Sequence, residues 1–163
     1  MTLELTYPEV GATAGVLPDG YHHIRESRVL GRGAECFQTA ADRLMSWDLH
    51  RRSGLSVEPE FPTAKLNSWV KVRIGLGPLG VTAPCRVVYV IDEPRRRGFG
   101  YGTLAGHPER GEEAFSVVWR DDDVVEVHVV AFSRPATWWA KAGAPAARVM
   151  QRLVTRRYLR ALG

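Results

Sequence analysis

From Ser68 onward the apolar period shortens from about 3.6 residues to about 2, and the alternation then runs to Phe132 with only short turns between its stretches. Trp69, Lys71 and Arg73 alternate with Val70, Val72 and Ile74 in the first stretch. Arg86 to Ile91 is rich in β-branched residues and bounded by Pro84 and Pro94. Phe99, Tyr101 and Thr103 share one face of the next stretch, and Glu113–Arg120 and Val124–Phe132 form a hairpin joined by Asp121-Asp122-Asp123. Parallel neighbours need crossovers of roughly a dozen residues, and these turns leave no room for them. The five stretches therefore predict an antiparallel meander.

The flanks supply the helices. Residues 1–19 have little periodicity and end at Pro18-Asp19-Gly20, a turn signal. Tyr21–Leu30 reads as a strand entering the core. Ala34–Arg51 reads as a helix whose stripe is Phe37, Ala40, Ala41, Leu44 and Trp47, with Gly54 as its stop. Leu55–Phe61 reads as an edge strand, because Pro59 and Pro62 cannot donate to a ladder. After the meander, Ser133-Arg134-Pro135 reads as a helix start, and Gly143 closes a short Trp138-Trp139 segment. Pro145 opens a last helix running to Leu162, with Ala146, Val149, Met150, Leu153, Val154, Tyr158, Ala161 and Leu162 as its apolar face.

This order predicts one α+β domain over residues 1–163, a helix-grip arrangement in which a curved antiparallel sheet surrounds a long C-terminal helix. One helix cannot fill the concave face of such a sheet, so an apolar cavity between the two is expected, and cavities of that kind hold ligands. A solid core with no cavity would overturn the binding reading.

A chain of 163 residues with 45% hydrophobic and 25% charged residues has the composition of a globular protein. The N-terminus has no basic and apolar pattern of a secretory signal, and no apolar run approaches the roughly 20 residues that span a bilayer. Cys36 and Cys85 belong to no CxxC pattern and read as two reduced, packed thiols, which points to the cytoplasm. The net charge of +4 is unevenly placed. Arginines gather at Arg95–Arg97 and in the last turns, with an acidic stretch from Glu109 to Glu126 between them.

The loop Ala105–Gly111 carries the best chemical candidates. His107 titrates near neutrality, and a His beside a carboxylate such as Glu109 can act as a general acid–base pair. The competing reading is a solvated hairpin connection shaped by Gly106, Pro108 and Gly111. Tyr101 and Thr103 precede it and can point their hydroxyls at the same region. His107, Glu109, Glu112 and His128 have no metal-site spacing, so no metal and no cofactor is expected. The glycines at 98, 100, 102 and 106 are followed by a strand rather than a helix, which excludes a dinucleotide loop. They read as bulges or as a close backbone approach to a ligand.

Arg148, Arg152, Arg156 and Arg160 recur every four residues along the last helix, with Arg157 beside them. Such a stripe can grip the phosphates of nucleic acid or anionic lipid. No nucleic-acid-reading motif accompanies it, and a solvated outer face whose cations suit the helix dipole explains it without a partner. Arg148 and Gln151 lie nearer the apolar face and can reach the cavity. Trp47 and His50 are spaced to share a face of the first helix, and Tyr21, His22 and His23 alternate on the first strand. Histidines in such settings are ordinarily structural. Trp138 and Trp139 read as core packing, with a lid over the cavity or a contact patch as alternatives.

The run Gly98-Phe99-Gly100-Tyr101-Gly102-Thr103-Leu104-Ala105-Gly106-His107-Pro108-Glu109-Arg110-Gly111-Glu112-Glu113-Ala114-Phe115 resembles the signature of a family known as domain of unknown function nineteen-ninety. Ala131–Ala136 fits the same family, as do Pro145, Arg148, Gln151, Arg157 and Tyr158, and, near the start, Gly31, Gly33, Phe37, Ala41, Trp47 and His50. The resemblance covers most of residues 21–162. It implies the START-like (SRPBCC) superfold, whose members bind apolar or amphipathic ligands or catalyse cyclase- and hydrolase-type reactions in the cavity. No catalytic residue comes with it.

The expectation is a binding protein for a small apolar or amphipathic molecule held between the sheet and the last helix, with Tyr101, Thr103, His107, Glu113 and Arg148 orienting it. The alternative is an enzyme on the same fold, using His107 or Glu109 for proton transfer. A third reading is a binder of nucleic acid or an anionic surface through the arginine stripe. Ligand identity and oligomeric state stay open.

Overall fold

The computed structural model describes residues 3–75, 78 and 80–163, apart from the side chains of Trp138 and Trp139. Strand β1 (His22–Arg32), helices α1 (Ala34–Met45) and α2 (Asp48–Arg52) and strand β2 (Ser56–Pro59) precede the meander. The meander itself is β3 (Trp69–Ile74), β4 (Val81–Glu93), β5 (Arg96–Thr103), β6 (Glu109–Trp119) and β7 (Val124–Pro135). Helices α3 (Trp138–Ala142) and α4 (Ala144–Ala161) close the chain. All seven strands join one antiparallel sheet in the order β1-β7-β6-β5-β4-β3-β2. This is the curved α+β helix-grip arrangement, with helices across the concave face.

Because side chains alternate between faces of a strand, the register fixes which residues meet. Val87, Tyr101 and Glu113 lie opposite one another across β4, β5 and β6, and Phe99 lies opposite Phe115. The concave face thus gathers Val70, Val72, Cys85, Val87, Phe99, Phe115, Val117, Val127 and Val129, all buried against Phe37, Ala41, Leu44, Trp47 and Leu49 of the first two helices. Burying side chains of this size contributes roughly 1.5–3 kcal/mol each, so this layer is the main source of stability.

Several local expectations are corrected. The first strand does not enter the core: β1 is an edge strand whose concave-side residues are mostly exposed, with only Ile24 buried. The helix expected over 34–51 breaks at Trp47, which adopts φ 68°. The break rotates α2 so that Trp47, Leu49 and His50 are all buried. Pro84 does not bound β4 but lies within it, opposite Lys71. Ser133-Arg134-Pro135 stays extended because β6 begins at Glu109 and pairs with it through Pro135. Trp138 and Trp139 lie in α3, and whether their side chains pack in the core, cover the cavity or form a contact patch falls outside what is described.

The convex face is covered too, by residues 3–21. Leu5 bridges Leu104, and Tyr7 and Leu17 pack on Phe132. The strand glycines explain the fit. A Cβ on Gly100 would lie 2.6 Å from the Tyr89 ring, and one on Gly102 would collide with Tyr7. The close approach expected at these glycines is made by the protein's own tyrosines rather than by a ligand.

Candidate functional site

Six rings meet beneath the helices, where the cavity was expected. Trp47 and His50 come from the helix break, Phe99 and Tyr101 from β5, Phe115 from β6 and Tyr158 from α4. Their centroids lie 4.9 Å apart for Trp47 and Phe99, 5.1 Å for His50 and Phe115, and 5.1 Å for Phe115 and Tyr158. This part of the concave space is filled, not hollow. Two open grooves among the described residues lie at the far end of the sheet. One runs along Glu93, Arg96, Trp119 and Asp122, the other along Phe37, Asp42, Pro94 and Arg97.

A polar chain crosses the ring cluster. His50 Nε2 lies 3.0 Å from the Tyr101 hydroxyl, which donates to Glu113 Oε1 at 3.4 Å. His50 is fully buried and its Nδ1 has no partner. Burial penalises the imidazolium and lowers the His50 pKa to about 3, so the ring is neutral. Burial also pushes the Glu113 carboxyl up to about 7, against the opposing effect of the Tyr101 hydrogen bond. The phenols of Tyr101 and Tyr158 are raised well above their ordinary value, mainly by burial, and burial raises the Cys85 thiol in the same way.

A second group of polar residues lies at the rim, under the N-terminal half of α4. The expected apolar face of that helix is only half correct. Thr155, Tyr158, Ala161 and Leu162 are buried and Gln151 is half-buried, whereas Ala146, Val149, Met150 and Leu153 are exposed. Gln151 Nε2 donates to Ser133 Oγ at 2.9 Å, Arg148 reaches Gln151 Oε1 at 3.4 Å, and Thr155 donates to the Gln151 carbonyl at 2.8 Å. Arg148 also acts on Glu109. Burial raises the Glu109 pKa and Arg148 opposes it, while Glu109 Oε2 is buried without a hydrogen-bond partner.

The candidates from the sequence therefore separate into four positions. Tyr101 and Glu113 share the buried polar chain, and Glu109 and Arg148 share the rim. Thr103 meets the Thr6 hydroxyl at 2.5 Å and accepts from the Gly111 N–H at 3.1 Å, between the two glutamates in sequence. His107 serves the turn: its Nδ1 accepts from the Glu109 N–H at 2.9 Å, so a neutral ring carries its proton on Nε2. Burial lowers its pKa to about 4. That geometry fits a turn-stabilising residue better than half of a His–carboxylate pair.

From the sequence, His50 reads as structural and Tyr158 as part of an apolar stripe, and both fit the family resemblance without a role attached. The spacing of Trp47 and His50 was the available signal, but their meeting with Tyr101 depends on the helix break. Glu112 and His128 face the convex side, away from Glu113. Glu112 is held there by Tyr7, and His128 lies 3.0 Å from Glu126.

A family model described as Domain of unknown function (DUF1990) matches residues 6–161. A UPF0548 protein of Deinococcus radiodurans is 32% identical over 175 residues, covering 96% of this chain and 85% of that protein. A UPF0548 protein of Dictyostelium discoideum is 30% identical, covering 75% of this chain and 62% of its own length. Among solved structures, a hypothetical protein of Helicobacter pylori superposes with a TM-score of 0.64 at 12% identity, covering 99% of this chain and 95% of that one. A norcoclaurine synthase point mutant from Thalictrum, solved with a transition-state analogue, superposes with a TM-score of 0.52 at 13% identity, covering 88% and 97%. At such identities the two structures establish a shared fold. No helix among the described residues is long and apolar enough to cross a membrane.

Proposed function

The chain belongs to the family described as Domain of unknown function (DUF1990), and we propose that it is a cytoplasmic protein that binds a small amphipathic molecule between its sheet and the N-terminal half of α4. The observation that carries this reading is the inward edge of α4. A helix that serves only packing turns its apolar residues to the sheet. Here Arg148, Gln151, Thr155 and Tyr158 face inward while Val149, Met150 and Leu153 face out. Polar groups placed over an aromatic floor suit a ligand with an apolar body and one or two polar handles. In this reading the rings contact the body of the ligand. Glu113, Tyr101 and Arg148 orient its polar end, and Thr103 shapes the strand end beside Gly111. Since the rings already fill the deep space, the ligand enters at the rim and displaces Tyr158 or the start of α4.

A second reading, an acid–base enzyme at the same place, is favoured by one observation. Glu113 titrates near neutrality and touches a phenol, which is how a carboxyl that both gives and takes a proton is tuned. Glu113 then replaces His107 and Glu109 as the proton-transfer group.

Native mass spectrometry of freshly purified protein, repeated after denaturation, tests binding. A stoichiometric extra mass that Glu113→Gln and Arg148→Gln both reduce supports the site. An extra mass that neither variant changes places the ligand elsewhere and overturns it. If wild type is unliganded, titration with 8-anilinonaphthalene-1-sulfonate decides: saturable binding weakened by the same variants supports the rim site, and its absence overturns it.

A further inference from the structure

The outward face of α4 is a feature that the binding reading does not use. Val149, Met150 and Leu153 are 52%, 51% and 46% exposed. With Ala146, also exposed, they follow the spacing of one helical stripe. Apolar residues scattered singly over a surface are ordinary, but three large ones on adjacent turns of one helix form a patch. Core packing does not account for it, because α4 is anchored through Gln151, Thr155, Tyr158, Ala161 and Leu162 on its other side.

Charge adds an independent observation. Lys141, Arg148, Arg152, Arg156, Arg157 and Arg160 lie between residue 141 and the C-terminus, and that stretch contains no Asp or Glu. Arg152, Arg156, Arg157 and Arg160 are exposed, interleaved with the apolar patch or one turn beyond it. Arg148 and Arg152 also face His22 of β1 closely enough to lower its pKa after desolvation, so this positive potential spreads over the neighbouring edge strand.

Nucleic acid would use the arginines but gain little from the three apolar side chains, since its phosphates are recognised by charge. An anionic bilayer uses both. Its headgroup–acyl boundary accepts short apolar side chains, and arginines beside them bury their stems while their guanidinium groups meet lipid phosphates. We propose that the outward face of α4 docks on anionic phospholipid surfaces, with Val149, Met150 and Leu153 entering the headgroup boundary and Arg152, Arg156, Arg157 and Arg160 engaging phosphates. The docking is peripheral and reversible, because the apolar stripe spans only about two helical turns.

Cosedimentation of the full chain tests this. The vesicles are phosphatidylcholine alone, or phosphatidylcholine with phosphatidylserine at three to one, at physiological salt. Binding to the mixed vesicles is expected to be at least about ten-fold stronger than to phosphatidylcholine alone, and to weaken as salt rises. The triple variant V149S/M150S/L153S is expected to lose about ten-fold or more, and R152Q/R156Q a similar factor. All five positions are exposed, so helix content and Trp fluorescence should stay as in wild type. Failure of wild type to bind mixed vesicles overturns the proposal, as does equal binding to both vesicle types. Loss in the arginine variant with full retention in the apolar variant reduces the contact to charge alone and also overturns it. So does binding to duplex DNA without vesicle binding, or a dimer broken by L153S without vesicle binding.

Discussion

Glu112 and Glu113 are consecutive residues of β6 whose carboxyl groups end on opposite faces of the sheet. On the convex side Glu112 accepts from the Tyr7 hydroxyl at 2.5 Å, the Gly11 N–H at 2.7 Å, the Thr13 N–H at 3.1 Å and the Thr13 hydroxyl. On the concave side Glu113 accepts from Tyr101. Two identical side chains, one residue apart, thus do different work: the first fastens the N-terminal segment, and the second sits in the ring cluster.

Glu112→Gln should release that segment. An amide presents one acceptor oxygen in place of two and turns an N–H₂ toward groups that are themselves donors. Hydrogen bonds to a charged group contribute roughly 1.5–3 kcal/mol, and buried donors left unpaired cost more, so a loss of about 3 kcal/mol is expected. Urea unfolding measures it. Limited proteolysis should cut within residues 3–21 of the variant first, and an unchanged midpoint with equal protection would contradict the fastening role.

Glu113 should make stability fall as pH rises. Its folded pKa is about 7 against 4.5 for the ordinary group, so the folded state holds the proton longer than the unfolded state does. Its contribution is therefore complete below about pH 4.5 and is lost as pH climbs through about 7. The residue is half-buried, so solvent screening reduces the effect to about 2 kcal/mol. Thermal unfolding from pH 5 to 8 should show a steeper decline for wild type than for Glu113→Gln, and parallel curves would refute the assignment.

His50 and His107 act on the acid side. Both have folded pKa values below the ordinary 6.5, at about 3 and about 4, so the unfolded chain takes up protons first as pH falls. Their stabilisation is present above about pH 6.5 and is lost on acidification through those lower values. Because His50→Gln also disturbs packing, the slope of stability against pH between 4 and 6 is the quantity to compare. The variant should be flatter there than wild type, whatever its absolute stability.

Gly100→Ala should destabilise the convex side. The new methyl group meets the Tyr89 ring, whose hydroxyl is fixed 2.8 Å from Thr13 Oγ1 and so cannot swing away freely. Overpacking of this kind costs roughly 1–3 kcal/mol. Combining it with Tyr89→Leu should cost less than the sum of the two single changes, by more than about 0.5 kcal/mol in a double-mutant cycle. Simple additivity would mean that the ring is not what opposes the methyl group.

The sequence by itself determined what depends on neighbours along the chain. Period-two alternation after Ser68 identified the meander, since a strand shows its two faces in its own residues. Pro145 marks the first turn of α4, and the alternation alone puts Phe99, Tyr101 and Thr103 on one face of β5. Only the tertiary structure decided what depends on distant chain. That both faces of the sheet are covered could not be seen from β5 or β6, because the covering segment is 97 to 105 residues away, as Thr6–Thr103 and Tyr7–Glu112 show. The break at Trp47, which brings His50 to Tyr101, reflects core packing that outweighs a helical stripe readable through Arg51. The rotation of α4 followed the same rule. Its sequence offered a broad apolar arc, and contacts with α2, β1 and β7 turned Thr155 and Tyr158 inward and left Val149, Met150 and Leu153 outside. Local pattern fixes which surfaces a segment has, and the free energy of the whole assembly selects which of them is buried.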